Sequence, residues 1–219
     1  MKDKILSHFD FLIKQIYKIL IFIFRDKYGD YQDPSNKRNI FINNRNITIM
    51  DHLSKLEFTS CLDLGSNLGF YSINIAKKFN VVVIGFEKFL HNVIKSNLEV
   101  QNQNLKNCFF FQNDINQNSI RNIPNSDITL VLSIFHHWVN QNGLGDALKM
   151  MKEIISKNKK YIFFELCEDS LPNYINDEKD ERELLGKIFN RHEVLYLEAN
   201  PIRDDSNIVR KLYLIKKTL

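Results

Sequence analysis

From Ser60 to the C-terminus, the sequence alternates between short segments that are apolar throughout and longer amphipathic segments. The apolar segments are CLDLG, VVVIGFE, CFFFQND, DITLVLSIF and YIFFELCE. Strands that are apolar on both faces and are separated by helices form parallel sheets covered by helices on both sides. The alternation therefore predicts an α/β fold with a doubly wound sheet.

The last two strands differ from the others because no helix separates them. HEVLYLEA and RKLYLIKK flank only the short loop NPIRDDSN, and a parallel return would require a longer crossover connection. These two strands must therefore pair antiparallel. For residues 51–219, the sequence predicts a mostly parallel seven-stranded sheet with an antiparallel last strand.

Residues 1–50 are predicted to be an N-terminal helical extension and a candidate lid. The segment ILSHFDFLIKQIYKILIFIFRDKYGD has a helical pattern, but it is too interrupted to span a membrane, which needs about 20 apolar residues. It fits a helix packed on the core or on a second subunit, or a helix lying on a membrane surface. Farther on, IFINNRNITI indicates two short strands joined by a hairpin at Asn43-Asn44.

Composition narrows the classes of function. The chain of 219 residues carries a net charge of +4, which is too small to argue for nucleic-acid binding by itself. Cys61, Cys108 and Cys167 lack the spacing of a metal site and lie in or beside apolar segments. We interpret them as buried, reduced thiols of a cytoplasmic protein without a cleavable signal peptide, and we expect no metal site.

Two glycines stand four residues apart in the segment SCLDLGSNLGFYS. Gly65 lets the loop after the first apolar strand turn tightly and approach a ligand, and Gly69 lets the next helix begin close to that strand. A dinucleotide-binding loop would have its middle glycine at Asn67. Asp63 would repel a pyrophosphate and would attract a cationic group.

The segment LDLGSNLGFYS resembles the first motif of class I S-adenosylmethionine-dependent methyltransferases. Glu87, which ends VVVIGFE, is similar to the acidic residue at the end of their second strand, and Asp114 is similar to the one after their third. DITLVLSIFHHW resembles their fourth-strand motif, and the closing antiparallel pair matches their last two strands. The resemblance extends from about Asp51 to the C-terminus and departs from the common pattern at Asn67, where glycine is more usual.

The resemblance implies S-adenosyl-L-methionine as the cofactor, whose ribose hydroxyls and two amines are donors that carboxylates can accept. Glu87 would bind the ribose, and Asp114 would bind the adenine amine. Asp63 would either bind the methionyl amine or orient the loop. Taken singly, Glu87 also fits a solvated strand end, and Asp114 also fits the N-cap of a short helix at INQNSI. The implied cofactor-binding residues are Asp63, Gly65, Ser66, Asn67, Gly69, Glu87, Asp114 and Ser133.

In this fold, the segment SIFHHWVNQNG would face the methyl group of the cofactor. His136 or His137 would then take the proton of an acceptor hydroxyl near neutral pH. The alternative is that one histidine packs under the sheet and the other caps the following loop. Further candidates for contact with the substrate are Trp138, Glu165, Tyr31 and Arg38.

Several signatures of nucleic-acid methylases are absent from the sequence. No NPPY-like stretch follows the fourth strand, and no cysteine lies in the loop after it. We therefore expect O-methylation of a small molecule or saccharide by a cytoplasmic protein that contacts a membrane surface or a second copy through its N-terminal helix. Two alternatives remain open: an RNA methyltransferase, which would need a contiguous basic face, and a non-catalytic scaffold subunit that binds the cofactor.

Overall fold

The computed structural model describes residues 15, 40–167, 171, 173–175, 178–201 and 209–218. In these residues, seven strands form one sheet. The strands are β1 (Ser60–Leu64), β2 (Val82–Glu87), β3 (Cys108–Gln112), β4 (Ser126–Val131), β5 (Asn158–Cys167), β6 (Glu193–Pro201) and β7 (Val209–Lys216). The helices are α1 (Ile40–Leu53), α2 (Phe70–Phe79), α3 (Leu90–Asn102), α4 (Phe135–Asn142), α5 (Leu144–Lys157) and α6 (Glu178–Ile188).

The strands follow the order β3-β2-β1-β4-β5-β7-β6 across the sheet. β1 pairs parallel with β2 and β4, and parallel pairing continues outward to β3 and β5. Only β7 runs antiparallel to its neighbours, β5 and β6. These observations confirm the predicted sheet. The strand order reverses between β1 and β4, and the carboxyl ends of these strands form the crevice where α/β folds bind ligands.

Two layers of helices bury the two faces of the sheet. Helices α1, α2 and α3 pack on one face around Ile49, Ile75 and Phe163, which are fully buried. Helices α4, α5 and α6 pack on the other face around Phe135 and Phe164, whose rings meet edge to face. The strands are therefore covered on both sides, as their continuous apolar sequence predicts.

The segment IFINNRNITI belongs to helix α1, so the predicted hairpin at Asn43-Asn44 is wrong. Its β-branched residues favour a strand locally, but Arg45, Ile49 and Leu53 are buried at the four-residue spacing of a helix packed on the sheet. The Asn-Asn pair also lacks the glycine that two-residue hairpin turns favour. Helix α1 continues past residue 50, and the division of the chain at that residue stays a prediction.

The connection from β3 to β4 contains a single 3-10 turn at Ile120–Asn122, so the short helix expected at INQNSI is not formed as predicted. The side chain of Ile120 is buried and anchors this turn in the core. Some apolar residues on β2 and β3 remain about half exposed, with exposed fractions of 47% for Val82, 44% for Phe109 and 51% for Phe111.

The three cysteines are free thiols buried in the core, which confirms the prediction of buried thiols. Burial is the main reason that the pKa of Cys61 lies well above its ordinary value and that the pKa of Cys108 rises to about 12. Both therefore remain protonated at neutral pH. Among the described helices, none combines the length and the apolar character needed to cross a membrane.

Candidate cofactor and acceptor site

Both glycines in the loop between β1 and α2 have a left-handed backbone, with φ of +77° at Gly65 and +75° at Gly69. A Cβ on Gly69 would lie 2.4 Å from the ring of Phe110, and a Cβ on Gly65 would lie 2.9 Å from Cδ1 of Ile134. At Gly69 the ring of Phe110 leaves no room for a Cβ, and at Gly65 the end of the Ile134 side chain would have to shift. The sequence assigned Gly65 to the approach of a ligand, and the structure adds this packing requirement.

Asn67 occupies the position at which a dinucleotide-binding loop has its middle glycine. Its φ is +50°, a conformation that Asn adopts more readily than most other residues. Its Oδ1 accepts a hydrogen bond from the N–H of Leu68 at 2.8 Å. Asn67 thus supplies the left-handed backbone that glycine would otherwise supply.

The side chain of Glu87, at the end of β2, holds the glycine loop in place. Its Oε2 accepts the N–H of Asn67 and its Oε1 accepts the N–H of Phe89, both at 2.9 Å. Only 6% of Glu87 is exposed. Each carboxylate oxygen has a second lone pair, so Glu87 can accept hydrogen bonds from a ligand while it holds the loop.

Asp63 lies beneath the same loop and is 2% exposed. The hydroxyl of Ser72 on α2 donates a hydrogen bond to Oδ2 of Asp63 at 2.6 Å. Burial raises the pKa of Asp63 to about 7; the Ser72 hydrogen bond opposes this rise, and the charge of Glu87 adds to it. The charge of Asp63 therefore changes near neutral pH, and a cation bound nearby would favour its ionised form. Ser66, at the tip of the loop, is 1% exposed, and its N–H donates to the carbonyl oxygen of Phe86.

Asp114 follows β3 at the same edge of the sheet. Its carboxylate is 54% exposed and lies 3.1 Å from Nζ of Lys88. Its backbone oxygen, rather than its carboxylate, accepts the hydroxyl of Ser119 at 2.7 Å. The carboxylate lines an open cavity of about 520 Å³ together with Lys88, Gln112, Asn113, Asn116, Asn118, Ser119 and Asn122.

His136 and His137 lie in the first turn of α4, directly after β4, and their ring centroids are 4.2 Å apart. His136 is 5% exposed, and burial, with the nearby charges of His137 and Arg210, lowers its pKa to about 3. His137 is exposed, and partial desolvation together with the charge of Arg210 lowers its pKa as well. His136 is therefore neutral at physiological pH, and His137 is the histidine that a substrate can reach.

Glu165 lies near the end of β5 and is 1% exposed. Its Oε2 forms an ion pair with Arg45 of α1, and its Oε1 accepts the hydroxyl of Ser133. Nη1 of Arg210 lies 3.5 Å from Oε1 of Glu165 and donates to the Ser133 hydroxyl at 2.6 Å. The structure thus surrounds Glu165, a candidate for substrate contact, with the side chains of the protein.

Sequence reasoning named Arg45 only as a candidate for the basic face of an RNA methyltransferase, and it did not assign Arg45 or Arg210 to Glu165. One signal was present, because a carboxylate within an apolar strand requires a cationic partner if it is buried. The sequence does not indicate which of its 30 lysines and arginines provides that partner. Both arginines are far from Glu165 along the chain, and only the tertiary structure brings them to it.

The remaining substrate candidates have different locations. Trp138 is 3% exposed and packs in the core shared by α4, α5 and α6, so its ring does not line an open surface. Tyr31 and Arg38 lie outside the described residues. Within the described ranges, no group of three or more His, Cys, Asp and Glu side chains is arranged to hold a metal ion.

No protein-family model and no curated protein sequence matches the chain. Solved structures match it in fold. The bifunctional kinase-methyltransferase WbdD has a TM-score of 0.62 and 18% identity over 86% of this chain. The matched region corresponds to 41% of the WbdD chain, so this chain spans less than half of that protein.

Two other structures match over most of their own length. The N-terminal domain of EvdMO1, solved in the presence of SAH and D-fucose, has a TM-score of 0.61 and 12% identity over 84% of both chains. Magnesium protoporphyrin IX methyltransferase (ChlM) from Synechocystis PCC 6803, with bound SAH, has a TM-score of 0.59 and 13% identity over 87% of this chain and 84% of its own. At sequence identities of 12–18%, the similarity shows that the three proteins share a fold with this chain and shows nothing beyond the fold.

Proposed function

Because the chain has the fold of the class I S-adenosylmethionine-dependent methyltransferases, we propose that it transfers a methyl group from S-adenosyl-L-methionine to an oxygen of a small molecule or saccharide. The glycine loop held by the buried carboxylate of Glu87 is the observation that carries this proposal. Two structures of this fold were solved with SAH, and one of them was solved with D-fucose present. These ligands support the choice of cofactor and of a saccharide acceptor.

Carboxylates at the ends of three neighbouring strands would bind the polar groups of the cofactor. Glu87 would accept the ribose hydroxyls through its remaining lone pairs, and Asp114 would accept the adenine amine from the open cavity after β3. Phe89, which is 41% exposed and adjacent in sequence to Lys88 of that cavity, offers an apolar surface to the adenine ring. Asp63 would favour the positively charged end of the cofactor from beneath the loop.

We assign the general base to His137. His137 is exposed at the carboxyl edge of the sheet, whereas His136 is buried with a pKa of about 3 and cannot hold a proton near neutral pH. When bound, the cofactor supplies an electrophilic methyl group, so the main task of the protein is to hold the acceptor oxygen in line with it. His137 would take the hydroxyl proton and contribute a smaller factor.

The proposal also assigns the N-terminal extension a role at the acceptor side. Tyr31 and Arg38 would contact the acceptor, and the apolar helical segment would contact a membrane surface or a second copy of the chain. Sedimentation of the full-length protein with anionic vesicles at low salt would indicate the membrane surface. A dimeric mass in solution would indicate the second copy of the chain.

Calorimetry with S-adenosylhomocysteine tests the cofactor site. Replacing Glu87 with Ala should weaken binding at least about tenfold, or about 1.4 kcal/mol, because the ribose loses its acceptor and the N–H groups of Asn67 in the glycine loop and of Phe89 after β2 lose theirs. Glu99→Ala on α3 is the matched control, since Glu99 is exposed and bonds only to the side chain of Gln103. Equal affinity of the folded Glu87→Ala and Glu99→Ala proteins would contradict the proposed cofactor site.

Methyl transfer is tested separately with methyl-labelled S-adenosylmethionine and acceptor panels of monosaccharides, including D-fucose, and of RNA. Label in a saccharide or another small molecule is the expected result. Salt-dependent label in RNA would instead favour the RNA methyltransferase. Fractions of a cell lysate serve as a further panel of acceptors. If the protein binds the cofactor but transfers the labelled methyl group to none of these fractions, the scaffold subunit is favoured.

A further inference from the structure

The bend between β4 and α4 has an unusual backbone at Ser133, whose φ is +56°. Among the described residues, five non-glycine residues have a positive φ, and three of them are asparagines, at positions 67, 80 and 104. Asn adopts this conformation readily. Serine does so less readily, and such a conformation persists only where the surrounding structure fixes it. The contacts of Ser133 must therefore hold this bend.

Those contacts come from two strands, and a third segment of the chain supports one of them. The hydroxyl of Ser133 donates to Glu165 of β5 and accepts from Arg210 of β7 at 2.6 Å. The second oxygen of Glu165 pairs with Arg45 of α1, which is 3% exposed. Buried charges with satisfied partners are rigid, because moving one of them would leave another without compensation in a low-dielectric interior.

The bend affects two parts of the site, the glycine loop after β1 and the histidine at the start of α4. Ile134, the next residue, packs over the glycine loop, so that its Cδ1 lies 2.9 Å from the place where a Cβ of Gly65 would be. The N–H of His137 donates to the carbonyl oxygen of Ile134 at 3.0 Å. A change in the backbone at Ser133 would therefore move the residue that covers the loop and the histidine beside the acceptor.

We propose that Glu165 is a positioning residue: through Ser133 it fixes the bend that leads into α4, and through Arg210 it sets the charge around His137. This inference rests on the proposed function for its catalytic meaning, but its structural content does not depend on methyl transfer. It also gives α1 a defined role, because Arg45 connects the N-terminal part of the chain to the carboxylate that positions the site.

The charges of Arg210 and Glu165 should change the pKa of His137 in opposite directions. The described ionisable groups that act on His137 directly are His136 on α4 and Arg210 on β7. Glu165 on β5 lies 3.5 Å from Arg210 and offsets its charge, and Arg45 on α1 pairs with Glu165 in turn. Partial desolvation and then the positive charge of Arg210 lower the pKa of His137. Removing the charge of Arg210 should raise that pKa, and removing the opposing charge of Glu165 should lower it further.

Proton NMR titration of the histidine Hε1 resonances in the full-length protein tests this arrangement without any substrate, with His137→Gln used for assignment. Arg210→Met should raise the pKa of His137 by about 0.5 on the pH scale, and Glu165→Gln should lower it by a similar amount. Arg210→Lys keeps the charge and should stay close to wild type. Lys187→Met, which removes an exposed cation paired with Glu183 on α6, is the matched control and should cause no change.

Hydrogen exchange of the amide of His137 provides the second readout. Both Glu165→Gln and Ser133→Ala should speed this exchange at least about tenfold relative to Lys187→Met, because the bend loses its fixed contacts. Equal pKa values of His137 in the Arg210→Met and Glu165→Gln proteins, or unchanged exchange in Ser133→Ala, would overturn the positioning role. If the wild-type protein does not bind S-adenosylhomocysteine, the proposed function is contradicted, but the positioning role of Glu165 is not.

Discussion

The two halves of the ligand-binding edge are held in place by different interactions. We call the part from Asp63 to Phe89, where we propose that the cofactor binds, the cofactor half, and the part after β4, where we propose that the acceptor binds, the acceptor half. In the cofactor half, left-handed glycines and the hydrogen bond from the N–H of Asn67 to the carboxylate of Glu87 set the loop. In the acceptor half, buried charges from distant parts of the chain, Arg45, Glu165 and Arg210, set the bend before α4.

This difference separates the two tasks of the site. The cofactor half depends mainly on residues that are close to one another in the chain, with Phe110 and Ile134 packed against its two glycines. The acceptor half depends on the packing of α1, β5 and β7 against one another, so damage far from the site reaches it. We therefore expect substitutions in the two halves to affect stability and cofactor binding in different proportions.

Arg45→Met should have the largest effect on stability. It leaves Glu165 buried with one cation fewer, and breaking a buried pair in this way costs about 3–5 kcal/mol. Urea unfolding measures the loss, with Arg182→Met as the control, because Arg182 forms an exposed pair with Glu178 at 3.7 Å on α6 and should change little. Affinity for S-adenosylhomocysteine should remain within about threefold, since Arg45 pairs with Glu165 and lies over the ring of Tyr71 on α2, 5.9 Å from its centroid, and the hydrogen bonds that hold the glycine loop come from Glu87 instead.

An unfolding curve for Arg45→Met that matches the curve for Arg182→Met would contradict the account of the acceptor half. A large loss of cofactor affinity in the folded protein would instead show that the two halves are coupled more tightly than their contacts indicate.

Gly69→Ala should have the next largest effect, and it acts on the cofactor half. The new Cβ would lie 2.4 Å from the ring of Phe110 at a residue with φ of +75°, so both the backbone and the ring must shift, at a cost of about 2–3 kcal/mol. Affinity for S-adenosylhomocysteine should fall with it. Gly186→Ala in α6 is the control: no atom lies within 4 Å of its Cβ position, and alanine there should stabilise the helix by about 0.5–1 kcal/mol. Equal stability of the two variants would contradict the steric account.

The cofactor half was largely predictable from sequence for a physical reason. Its signals are local, because a strand, a glycine loop and a helix follow one another within SCLDLGSNLGFYS, and the structure begins α2 at Phe70 as the pattern indicates. The apolar strands likewise predicted the sheet, and the short last connection predicted that β7 is antiparallel. The sequence did not indicate that Phe110 makes Gly69 necessary, because that contact joins the glycine loop to β3, which is distant along the chain.

The acceptor half was less predictable because its determinants are tertiary. Local propensity favoured a hairpin at Asn43-Asn44, whereas packing on the sheet made a helix and turned Arg45 toward Glu165. Arg210 lies in a strand that was predicted correctly, but nothing in its neighbourhood along the chain marks it as a partner of Ser133. Trp138 and Glu165 were chosen for their proximity to the fourth and fifth strands, and burial separates both from an open surface.

The last prediction concerns Asp63 and is a slope in the unfolding free energy of at most about 1.4 kcal/mol for each pH unit, which per unit is smaller than the losses above. Its pKa is about 7 in the folded protein, compared with an ordinary value of 3.8, so between these values the folded state holds a proton that the unfolded state has lost. The contribution of Asp63 to stability is therefore fully present below pH 4 and is lost as the pH rises toward 7. Asp63→Asn keeps an acceptor for Ser72 and should flatten the decline in unfolding free energy between pH 5 and 7.

Asp127→Asn is the control. Hydrogen bonds from Thr59 and nearby lysines outweigh desolvation and hold the pKa of Asp127 below 3.8. Asp127 therefore titrates below this pH range, and its replacement should leave the slope of the wild type unchanged. If Asp63→Asn retains the slope of the wild type, the decline comes from another group, and the cofactor half has no buried carboxylate that changes charge near neutral pH.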